Sequence, residues 1–531
     1  MRRRRLKYPT NTVKTAGRKT GNVRKLLRLA SVGAVLTGLA VLGLPSVAQA
    51  KPVKPTVSSF AVTPTSLSPS GGSVTLSAQV TSAASCVFSS NRIVTELPVT
   101  TPCSNGTVTE VVSIPANARN RAVTYKLHLS VTGTKTVNAK AVTLTVAAGG
   151  LPTVIVAGAE HTCALLAGGT VDCWGENASG QLGNGTTTNA YTPVAVSGLR
   201  GATAVAGGTF AFHSCALLSG GTVECWGDNQ YGQLGNGTTT GSTLPVAVSG
   251  LSGATAISGG LGSTCALLGG GTVDCWGDNQ YGQLGDGTTT GSTTPVAVSG
   301  LSGATAIAVE DDHTCALLIG ETVECWGYNS AGQLGDGTTA GPEYCLYVLH
   351  GVPSEPCSTT PVAVDLSGAT ALAGGDGGSC ALLTGGTVDC WGENDYGLLG
   401  NGTFSSSSGS ATPVAVSDIT DATAITATGG GACALLAGGT VDCWGANLGG
   451  ELGDGTTSGP ETCANSIPCN TSPGAVIGLS GATAVAGGGS HACALIVAGS
   501  IDCWGDNTGG DLGNGTKRTD LPAPVPVKRL P

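Results

Sequence analysis

A short phrase that returns seven times constrains the fold of this chain more than any other feature. Its first copy, CALLAGGTVDCWG, spans residues 163–175, and the Cys-Trp-Gly that ends each copy holds all seven tryptophans. Successive copies lie 52, 50, 50, 65, 53 and 60 residues apart. A period of this length indicates one supersecondary unit per repeat, and the two long intervals indicate insertions.

Each repeat contains four short segments with the composition of β-strands. In residues 202–248 these are ATAVAGG, SCALL, TVECWG and PVAV, with a polar stretch before the last. No long stretch of the chain shows apolar residues at helical spacing, which favours an all-β protein. Four strands repeated seven times predict a seven-bladed β-propeller, whose closed ring also protects the sheet edges.

The cysteines of each phrase predict a pinned hairpin. If Gly168 is the centre of a three-residue loop, Leu165 faces Val171 and Cys163 faces Cys173. Directly opposed residues of a non-hydrogen-bonded pair lie ~4.5 Å apart at Cα, within disulfide range. A structural zinc site, the alternative, usually shows shorter cysteine steps and needs four ligands.

All twenty cysteines can be counted in local pairs, so we expect ten disulfides and no metal. The expected pairs are Cys86 with Cys103, Cys163 with Cys173, Cys215 with Cys225, Cys265 with Cys275, Cys315 with Cys325, Cys345 with Cys357, Cys380 with Cys390, Cys433 with Cys443, Cys463 with Cys469, and Cys493 with Cys503.

The first 50 residues predict a secretory leader. Residues 1–28 hold eleven Lys or Arg and no acid, residues 29–44 are an uncharged apolar run, and Ala48-Gln49-Ala50 is a small-residue cleavage site. The apolar run is shorter than the roughly 20 residues of a membrane span. We therefore expect cleavage after Ala50 and a secreted or cell-surface protein, with an uncleaved anchor as the alternative.

Residues 51–149 carry no copy of the phrase and predict a separate domain. Alternating segments such as SVTLSAQV (73–80) and YKLHLSV (125–131) are separated by turn sequences. About seven short strands in about 100 residues suggest an Ig-like β-sandwich, and the stretch resembles bacterial extracellular Ig-like modules. The propeller is then expected over residues 150–531, after a linker at 147–152.

The charge excludes several classes of partner. Once residues 1–50 are removed, 13 Lys and Arg remain against 33 acids, a net charge of about −20. Residues 151–516 contain thirty acids, no Lys and one Arg, Arg200. Too few basic residues are present to neutralise phosphates, so we expect no nucleic-acid partner, no binding to an anionic membrane and no nucleotide ligand. The negative charge should instead attract cationic partners.

The polar stretch of each repeat carries a family resemblance. CWGENASGQLGNGT (173–186) and CWGDNQYGQLGDGT (275–288) are similar to the repeat of the regulator of chromosome condensation family. The resemblance covers about 380 residues and implies a seven-bladed propeller. The family's nucleotide-exchange activity and chromatin binding do not follow, because this chain is expected to be exported and lacks basic residues. It is closer to secreted bacterial members of the family, which act as rigid protein-binding discs.

Several motifs suggest a ligand, and each has a simpler reading. The GQLGNG stretches lack a following Lys and fit turns better than phosphate loops. Asp and Asn near Gly do not have calcium-loop spacing. The acid before each motif cysteine is one structural feature per repeat rather than a catalytic pair. His161, His213, His313 and His491 share one repeat position, where a metal site competes with hydrogen bonding between blade edges.

The two insertions are the best candidate sites. Residues 340–360 and 458–472 interrupt repeats 4 and 6 at the same place, so both are expected on one rim. Pre-organised aromatic loops on a rigid scaffold suit protein recognition, although an inert insertion is the alternative. The candidate partner-binding residues are Tyr344, Leu346, Tyr347, Leu349 and His350.

These observations predict an exported, monomeric, non-enzymatic protein that binds a protein or surface ligand without a cofactor. An inhibitor of a secreted enzyme and a cell-surface adhesion protein are the alternatives. A regulator resembling the family's exchange factors is less favoured, and no nucleophile–base set indicates an enzyme.

Overall fold

The structure, a computed structural model, describes residues 53–67, 72–114, 123–146, 150–345, 355–375, 377–405, 409–497, 499–517 and 520–528. The expected leader, residues 1–50, and residues 147–149 of the expected linker lie outside these ranges. Within them the chain is β-structure and connections, with one 3-10 turn at Ala464–Ser466. No helix in the described ranges has the length and apolar character to cross a membrane.

Two sheets formed by residues 56–146 share one apolar core. The nine strands of these ranges are β1 (Thr56–Thr63), β2 (Ser66–Leu67), β3 (Gly72–Thr81), β4 (Ser85–Ser90), β5 (Val99–Pro102), β6 (Gly106–Ile114), β7 (Val123–Thr132), β8 (Thr136–Asn138) and β9 (Val142–Val146). One sheet has the order β1-β3-β6 and the other β2-β9-β7-β4-β5, with β8 beside β7. Side chains alternate between core and solvent along β7, and Leu76, Phe88 and Leu127 are buried together.

The disulfide of this region joins neighbours within one sheet. Cys86 lies in β4, Cys103 directly follows β5, and β4 pairs with β5. The bridge of antibody domains instead connects the two sheets. The sequence indicated about seven strands, whereas the described ranges contain nine because three strands are only two to four residues long. The Ig-like assignment stays a prediction.

Seven sheets follow along the rest of the described chain, each built from consecutive strands. Blade 1 is β10 (Pro152–Ala157), β11 (His161–Leu166), β12 (Val171–Gly175) and β13 (Ala190–Ala195); blade 2 is β14 (Ala202–Ala206), β15 (His213–Leu218), β16 (Val223–Gly227) and β17 (Ser242–Ala247); blade 3 is β18 (Ala254–Gly259), β19 (Ser263–Leu268), β20 (Val273–Gly277) and β21 (Ser292–Ala297). Blade 4 is β22 (Ala304–Val309), β23 (His313–Leu318), β24 (Thr322–Tyr328), β25 (Glu343–Cys345) and β26 (Glu355–Ser367); blade 5 is β27 (Ala369–Gly374), β28 (Gly378–Leu383), β29 (Val388–Gly392) and β30 (Ser410–Ala415). Blade 6 is β31 (Ala422–Thr428), β32 (Gly431–Leu436), β33 (Val441–Ala446), β34 (Glu461–Thr462) and β35 (Pro468–Ala475); blade 7 is β36 (Ala482–Gly487), β37 (His491–Ile496), β38 (Ile501–Gly505) and β39 (Leu521–Pro526).

The hairpin register agrees with the sequence prediction. Cys163 pairs with Cys173 and Leu165 with Val171, and the two cysteine Cα atoms lie 4.1 Å apart. The other six repeats have the equivalent register: Cys215 opposite Cys225, Cys265 opposite Cys275, Cys315 opposite Cys325, Cys380 opposite Cys390, Cys433 opposite Cys443, and Cys493 opposite Cys503.

Every expected cysteine pair is brought together. The three pairs outside the hairpins are Cys86 with Cys103, Cys345 with Cys357, and Cys463 with Cys469. The sulfur atoms of these three and of the seven hairpin pairs lie at disulfide distance, and no described cysteine is free.

Both sides of each blade are buried against neighbouring blades. In blade 1, Cys163 and Leu165 pack with Trp226 of blade 2, whereas Ala164 and Trp174 pack with blade 7. Apolar contact on two sides explains why the strand residues HTCALL and VDCWG are buried almost without interruption. Alternate side chains of the hairpin therefore pack against the preceding blade and the following blade, rather than against a core and solvent.

The tryptophans connect the blades into a closed ring. The Trp226 indole N–H donates to the carbonyl of Gln181 in the preceding blade at 2.8 Å, and the same bond recurs at the next five tryptophans. Trp174 of blade 1 donates to the carbonyl of Asp511 in blade 7 at 2.8 Å. Blades 7 and 1 therefore meet like any other pair, although no strand is shared across this closing seam.

The meander of each blade gives the ring two different faces. Connections from the first to the second strand and from the third to the fourth, such as residues 158–160 and 176–189, leave at one end, which we call the loop face. The tight hairpins, such as residues 167–170, and the links between blades leave at the other end, the hairpin face. Both insertions lie on the loop face, as their position in the repeat predicts.

Candidate functional site

The loop face rests on a rigid turn that each blade repeats. In blade 1 the buried Asn177 accepts the N–H of Leu182 at 2.9 Å and donates to the carbonyls of Thr186 and Thr188. Gly183 has φ +62° and faces Trp226 so closely that a Cβ would lie 2.8 Å from the indole nitrogen. The polar stretch therefore uses its own hydrogen-bonding groups internally, as expected for turns rather than for a phosphate loop.

The first strands of the blades enclose a central channel. Ile155, Ala157, Val309, Leu372 and Val485 are among the residues that line a cavity of about 240 Å³. Its walls combine aliphatic side chains and backbone groups with the hydroxyl side chains of Thr209, Ser258 and Thr426, and the lining contains no charged side chain.

One loop crosses the loop-face end of the channel. Residues 207–212 of blade 2 are longer than their counterparts, and the Thr209 hydroxyl donates to the carbonyl of Gly374 in blade 5 at 3.2 Å. The carbonyl of Ala211 accepts from the N–H of Ala159 in blade 1 at 3.1 Å. The Phe210 ring lies against Gly429 of blade 6. This crossing loop spans the loop-face end of the channel, and the sequence signals it only as additional residues that blade 2 has before its motif histidine.

The four repeat-position histidines connect adjacent blades. Nε2 of His161 lies 2.8 Å from the Ser214 hydroxyl, and Nε2 of His213 lies 2.8 Å from that of Thr264. His313 and His491 make equivalent contacts with Ser379 and Thr162. Burial lowers the pKa of His213 and His491 to about 4 each, and burial followed by neighbouring histidines lowers that of His161 to about 3. These three side chains are neutral hydrogen-bonding bridges at neutral pH.

Blade 4 adds a carboxylate to its histidine bridge. Glu310 is 4% exposed, and its Oε2 lies 2.6 Å from Nε2 of His313. The Ser379 hydroxyl donates to Oε1 of Glu310 at 3.0 Å and contacts the same histidine nitrogen at 2.9 Å. Serine and carboxylate share one ring nitrogen, so this is not the relay that activates a nucleophile. The nearby Cys315 is bonded to Cys325 and offers no thiolate to a metal.

The acid before each motif cysteine is not uniformly solvated. Asp172 is 2% exposed, and burial raises its pKa to about 6. Burial also raises the pKa of Asp274, Asp389, Asp442 and Asp502, which are partly buried. Each of the five lies on its own blade and none is paired with another of the set, which agrees with a structural role.

Carboxylates lie close together where blades 7 and 1 meet on the loop face. Loss of hydration, then the charge and hydrogen bond of Glu176, then Asp506, raise the pKa of Glu160 to about 7. Burial and then Asp506 and Glu160 raise the pKa of Asp511 well above its usual value. Burial and Asp506 also raise the pKa of Asp520. Asp506 is therefore the centre of an acidic cluster formed by Glu160, Glu176, Asp506, Asp511 and Asp520.

Tyrosines occupy the other part of the loop face. Tyr231 is 44% exposed and lies against Gly262 of blade 3. The Tyr281 ring centroid is 4.9 Å from that of Tyr328 in blade 4, and Tyr396 lies against Gly430 of blade 6. Tyr231, Tyr281 and Tyr396 share one repeat position, so each leans from its own blade toward the next. We call these three residues with Tyr328 the tyrosine arc.

The two insertions extend their blades rather than forming separate loops. β25 pairs with β26 in blade 4, and β34 pairs with β35 in blade 6, so each insertion adds a fifth strand at the outer edge. Of the five sequence-predicted binding residues, Tyr344 is described, on β25, and its side chain is 60% exposed. Leu346, Tyr347, Leu349 and His350 lie outside the described residues.

Comparison with known proteins gives the family of the repeats. A family model described as the regulator of chromosome condensation (RCC1) repeat matches residues 153–181, 203–233, 254–283 and 369–398. A second model with the same description matches residues 169–217, 221–267 and 271–317. Residues 153–317 and 369–398 of this chain therefore match RCC1 repeats.

Curated relatives match over short stretches. The human E3 ubiquitin-protein ligase HERC2 is 41% identical over 99 residues, which are 19% of this chain and 2% of HERC2. The Arabidopsis thaliana ultraviolet-B receptor UVR8 is 37% identical over 101 residues, 19% of this chain and 23% of the receptor. The chain thus spans less than a quarter of either relative.

Similarity to solved structures supports the propeller fold. Yeast RCC1 (Prp20) bound to Kap60 has a TM-score of 0.56 and 19% identity over 71% of this chain and 85% of that one. Human WBSCR16 has a TM-score of 0.56 and 21% identity over 68% of this chain and 94% of that one. At this identity the likeness concerns the fold.

Proposed function

We propose that this RCC1-repeat protein is an exported, non-enzymatic binding protein whose loop face recognises a protein with a positively charged surface. The observation that carries the proposal is the tyrosine arc beside the acidic cluster on one face. Tyrosine supplies large contact area at low entropic cost, and carboxylates at the rim select a cationic partner.

The distribution of charge supports a cationic partner. Of the described basic residues of the propeller, Arg200 lies in the link between blades 1 and 2 at the hairpin face, and the exposed Lys528 follows the last strand, β39, at the same face. Lys517 is on the loop face, where its ammonium stacks over Tyr191 at 5.0 Å. Glu160 and Glu343 are exposed on that face, together with several partly buried acids. Its field attracts positively charged proteins and repels nucleic acid.

The framework supports recognition by a preformed surface. Internally bonded loop turns, a ring of blade contacts and the predicted disulfides leave little backbone freedom to lose on binding. Yeast RCC1 was crystallised with Kap60, and a second structure, of Saccharomyces cerevisiae Prp20p, was described together with its binding to Gsp1p and histones. Kap60, Gsp1p and histones are partners of the yeast protein, and they support the proposal that a propeller of this fold binds other proteins.

Two uses of the same surface remain open for the partner. An inhibitor would cover the active site of a secreted enzyme, whereas an adhesion protein would hold a component of the cell envelope. The ten cysteine pairs at disulfide distance, and the finding that no described helix could cross a membrane, are compatible with either extracellular setting. Tyr344 extends the aromatic surface along blade 4 and would contribute to binding.

The test compares two faces of one protein. The mature protein captures partners from culture medium and envelope extract, and the affinity of each identified partner is measured by calorimetry. The double variant Tyr231→Ser/Tyr281→Ser should bind at least ~30-fold more weakly, the effect of removing hot-spot side chains. The matched control is Ile319→Ser, which removes an exposed apolar side chain from the hairpin face.

Ile319→Ser should bind as the unaltered protein does, and binding should weaken as salt increases. If the double variant remains folded and retains full affinity, the loop face is not the recognition surface.

A further inference from the structure

The insertions of blades 4 and 6 are built on one frame. Both contain the sequence Gly-Pro-Glu-x-Cys, at residues 341–345 and 459–463. In both, the glutamate lies opposite the second cysteine of its insertion across the added strand pair. The glutamate also accepts a hydrogen bond from a threonine, from the hydroxyl of Thr359 at 2.7 Å in blade 4 and from the N–H of Thr471 at 2.9 Å in blade 6. These shared contacts hold the added strand on its blade.

Two differences between these insertion blades meet in space. Directly after Cys-Trp-Gly, blade 4 has Tyr328 where blade 6 has Ala446. Two residues before the second insertion cysteine, blade 4 has Glu355 where blade 6 has Ile467. The Tyr328 hydroxyl donates to Oε2 of Glu355 at 3.2 Å. Because blade 6 forms the same frame without this pair, the frame does not require it.

The same tyrosine forms an aromatic notch between blades 3 and 4. The ring centroid of Tyr328 lies 4.9 Å from that of Tyr281, and the two ring planes are inclined at 52°. Both rings are partly exposed on the loop face. Burial, and then the nearby carboxylates of Glu355 and Asp312, raise the pKa of Tyr328, so its hydroxyl stays a neutral donor at neutral pH. We call Tyr281, Tyr328 and Glu355 the blade-4 notch.

The charge at the blade-4 notch selects a cation. Glu355 is partly exposed, and the charge of Asp312 also acts on the notch tyrosine. Blades 2 to 6, residues 202–475, contain no Lys and no Arg that could neutralise these acids. An aromatic face and a carboxylate both attract a cation. On the same face the ammonium of Lys517 lies over the Tyr191 ring at 5.0 Å, so a tyrosine of this surface already holds a basic side chain.

We propose that Tyr281, Tyr328 and Glu355 bind the side chain of an arginine that projects from the partner protein. The inference rests on the proposed function, because it names the group by which a positively charged protein is held at the loop face. A guanidinium plane stacks on an aromatic ring while its N–H groups reach a carboxylate in a fixed fork. A lysine ammonium lacks that planar geometry, so arginine suits an aromatic ring beside an acid better than lysine does.

The test uses the full mature protein, labelled with 3-fluorotyrosine and observed by fluorine NMR at neutral pH and low salt. Titration with the blocked peptide acetyl-Gly-Arg-Gly-amide should shift the resonances of Tyr281 and Tyr328 saturably. The citrulline peptide, which has the same shape without the charge, should bind about ten-fold more weakly. Glu355→Gln should weaken binding of the arginine peptide by a similar factor. Tyr328→Ala, which installs the residue of blade 6, should also weaken it while the frame is kept.

Glu461→Gln is the matched control, because it changes the net charge equally and lies in the corresponding frame of blade 6. This variant should bind the arginine peptide as the unaltered protein does. The inference is overturned if the arginine peptide does not bind, if the citrulline peptide binds equally well, or if Glu355→Gln leaves the titration unchanged. It is overturned equally if Glu461→Gln weakens binding as much as Glu355→Gln, since the general negative field then accounts for the attraction.

Failure of this inference is distinguishable from failure of the proposed function. The peptide titration needs no captured partner, and Glu355→Gln leaves the rest of the tyrosine arc in place. A failed titration beside capture that is lost in Tyr231→Ser/Tyr281→Ser refutes the arginine site and keeps the loop face as the recognition surface.

Discussion

At the scale of the residue, one position shows how a repeat tolerates a change of chemistry. Four residues after the buried asparagine of each loop, blades 1–4 have glutamine, whereas blades 5, 6 and 7 have Leu398, Glu451 and Asp511. Oε2 of Glu451 still accepts the N–H of Gly449 at 2.9 Å, and the side chain is 8% exposed. The structural bond survives, but a buried acid replaces a neutral amide.

Glu451 should make the stability of the protein depend on pH. Burial, with a smaller contribution from Asp506, raises its pKa from 4.5 to about 7. A raised pKa in the folded state stabilises the fold below about pH 4.5, and this stabilisation is lost as the pH rises to 7. Glu451→Gln should remove this dependence, which is on the order of 2 kcal/mol.

Chemical denaturation of both proteins at pH 5 and pH 8, in EDTA, measures this difference. The free energy of unfolding of the variant should exceed that of the unaltered protein at pH 8 and should nearly equal it at pH 5. Equal pH dependence in both proteins would show that Glu451 titrates normally.

At the scale of the element, the cysteine-pinned hairpin is the most repeated unit. The Cys215–Cys225 pair closes a loop with a sequence separation of 10. In the chain-entropy model such a loop contributes roughly 3 kcal/mol. Replacing both cysteines with alanine should lower the free energy of unfolding by about that amount.

The control is the corresponding double alanine variant of Cys345 and Cys357, a pair at the outer edge of blade 4. Denaturant midpoints should fall less for this variant, although its loop is of similar length, because an added edge strand can open locally before the blade unfolds and then contributes little to the global transition. Peptide mapping without reduction should recover all ten pairs within their repeats. Free thiols or pairs between repeats would contradict the hairpin assignment.

The blade junction depends on the indole nitrogen as well as on apolar area. Trp326 donates to the carbonyl of Gln283 at 2.9 Å and is fully buried. Trp326→Phe removes this bond and leaves a cavity, which should cost about 2 kcal/mol. Tyr231→Phe, at the surface, should cost little in the same denaturation assay, and an equal loss in both variants would contradict this account.

The periodicity of the sequence predicted the structure of each blade, but it did not predict the contacts between blades. The offset of ten between cysteines was enough to place Cys163 opposite Cys173, because a hairpin is a local structure. The bonds from His161 to Ser214 and from Thr209 to Gly374 connect residues that only ring geometry brings together. Aligning the repeats position by position would have exposed two further signals, the additional residues of blade 2 and the acid at Asp511.

The sequence predicted the position of the two insertions correctly, but it did not predict their secondary structure. Each was expected as a rim loop, and each instead includes a short strand that pairs with the outermost strand of its blade. Edge strands have unpaired backbone groups that an adjacent segment can use, and sequence alone does not show which segment will do so.

At the scale of the whole molecule, charge limits what can bind. Residues 151–516 hold thirty acids and one basic residue. The mature protein should therefore not retain duplex DNA at moderate salt in an electrophoretic shift assay. A salt-sensitive shift at micromolar protein would contradict this prediction, and a basic protein of similar size serves as the positive control.

The crossing loop of blade 2 obstructs passage through the ring. Thr209, Phe210 and Ala211 reach blades 5, 6 and 1, so the loop spans the ring at the loop face. An extended polypeptide could pass from one side of the ring to the other only after this loop had released its contacts with those three blades.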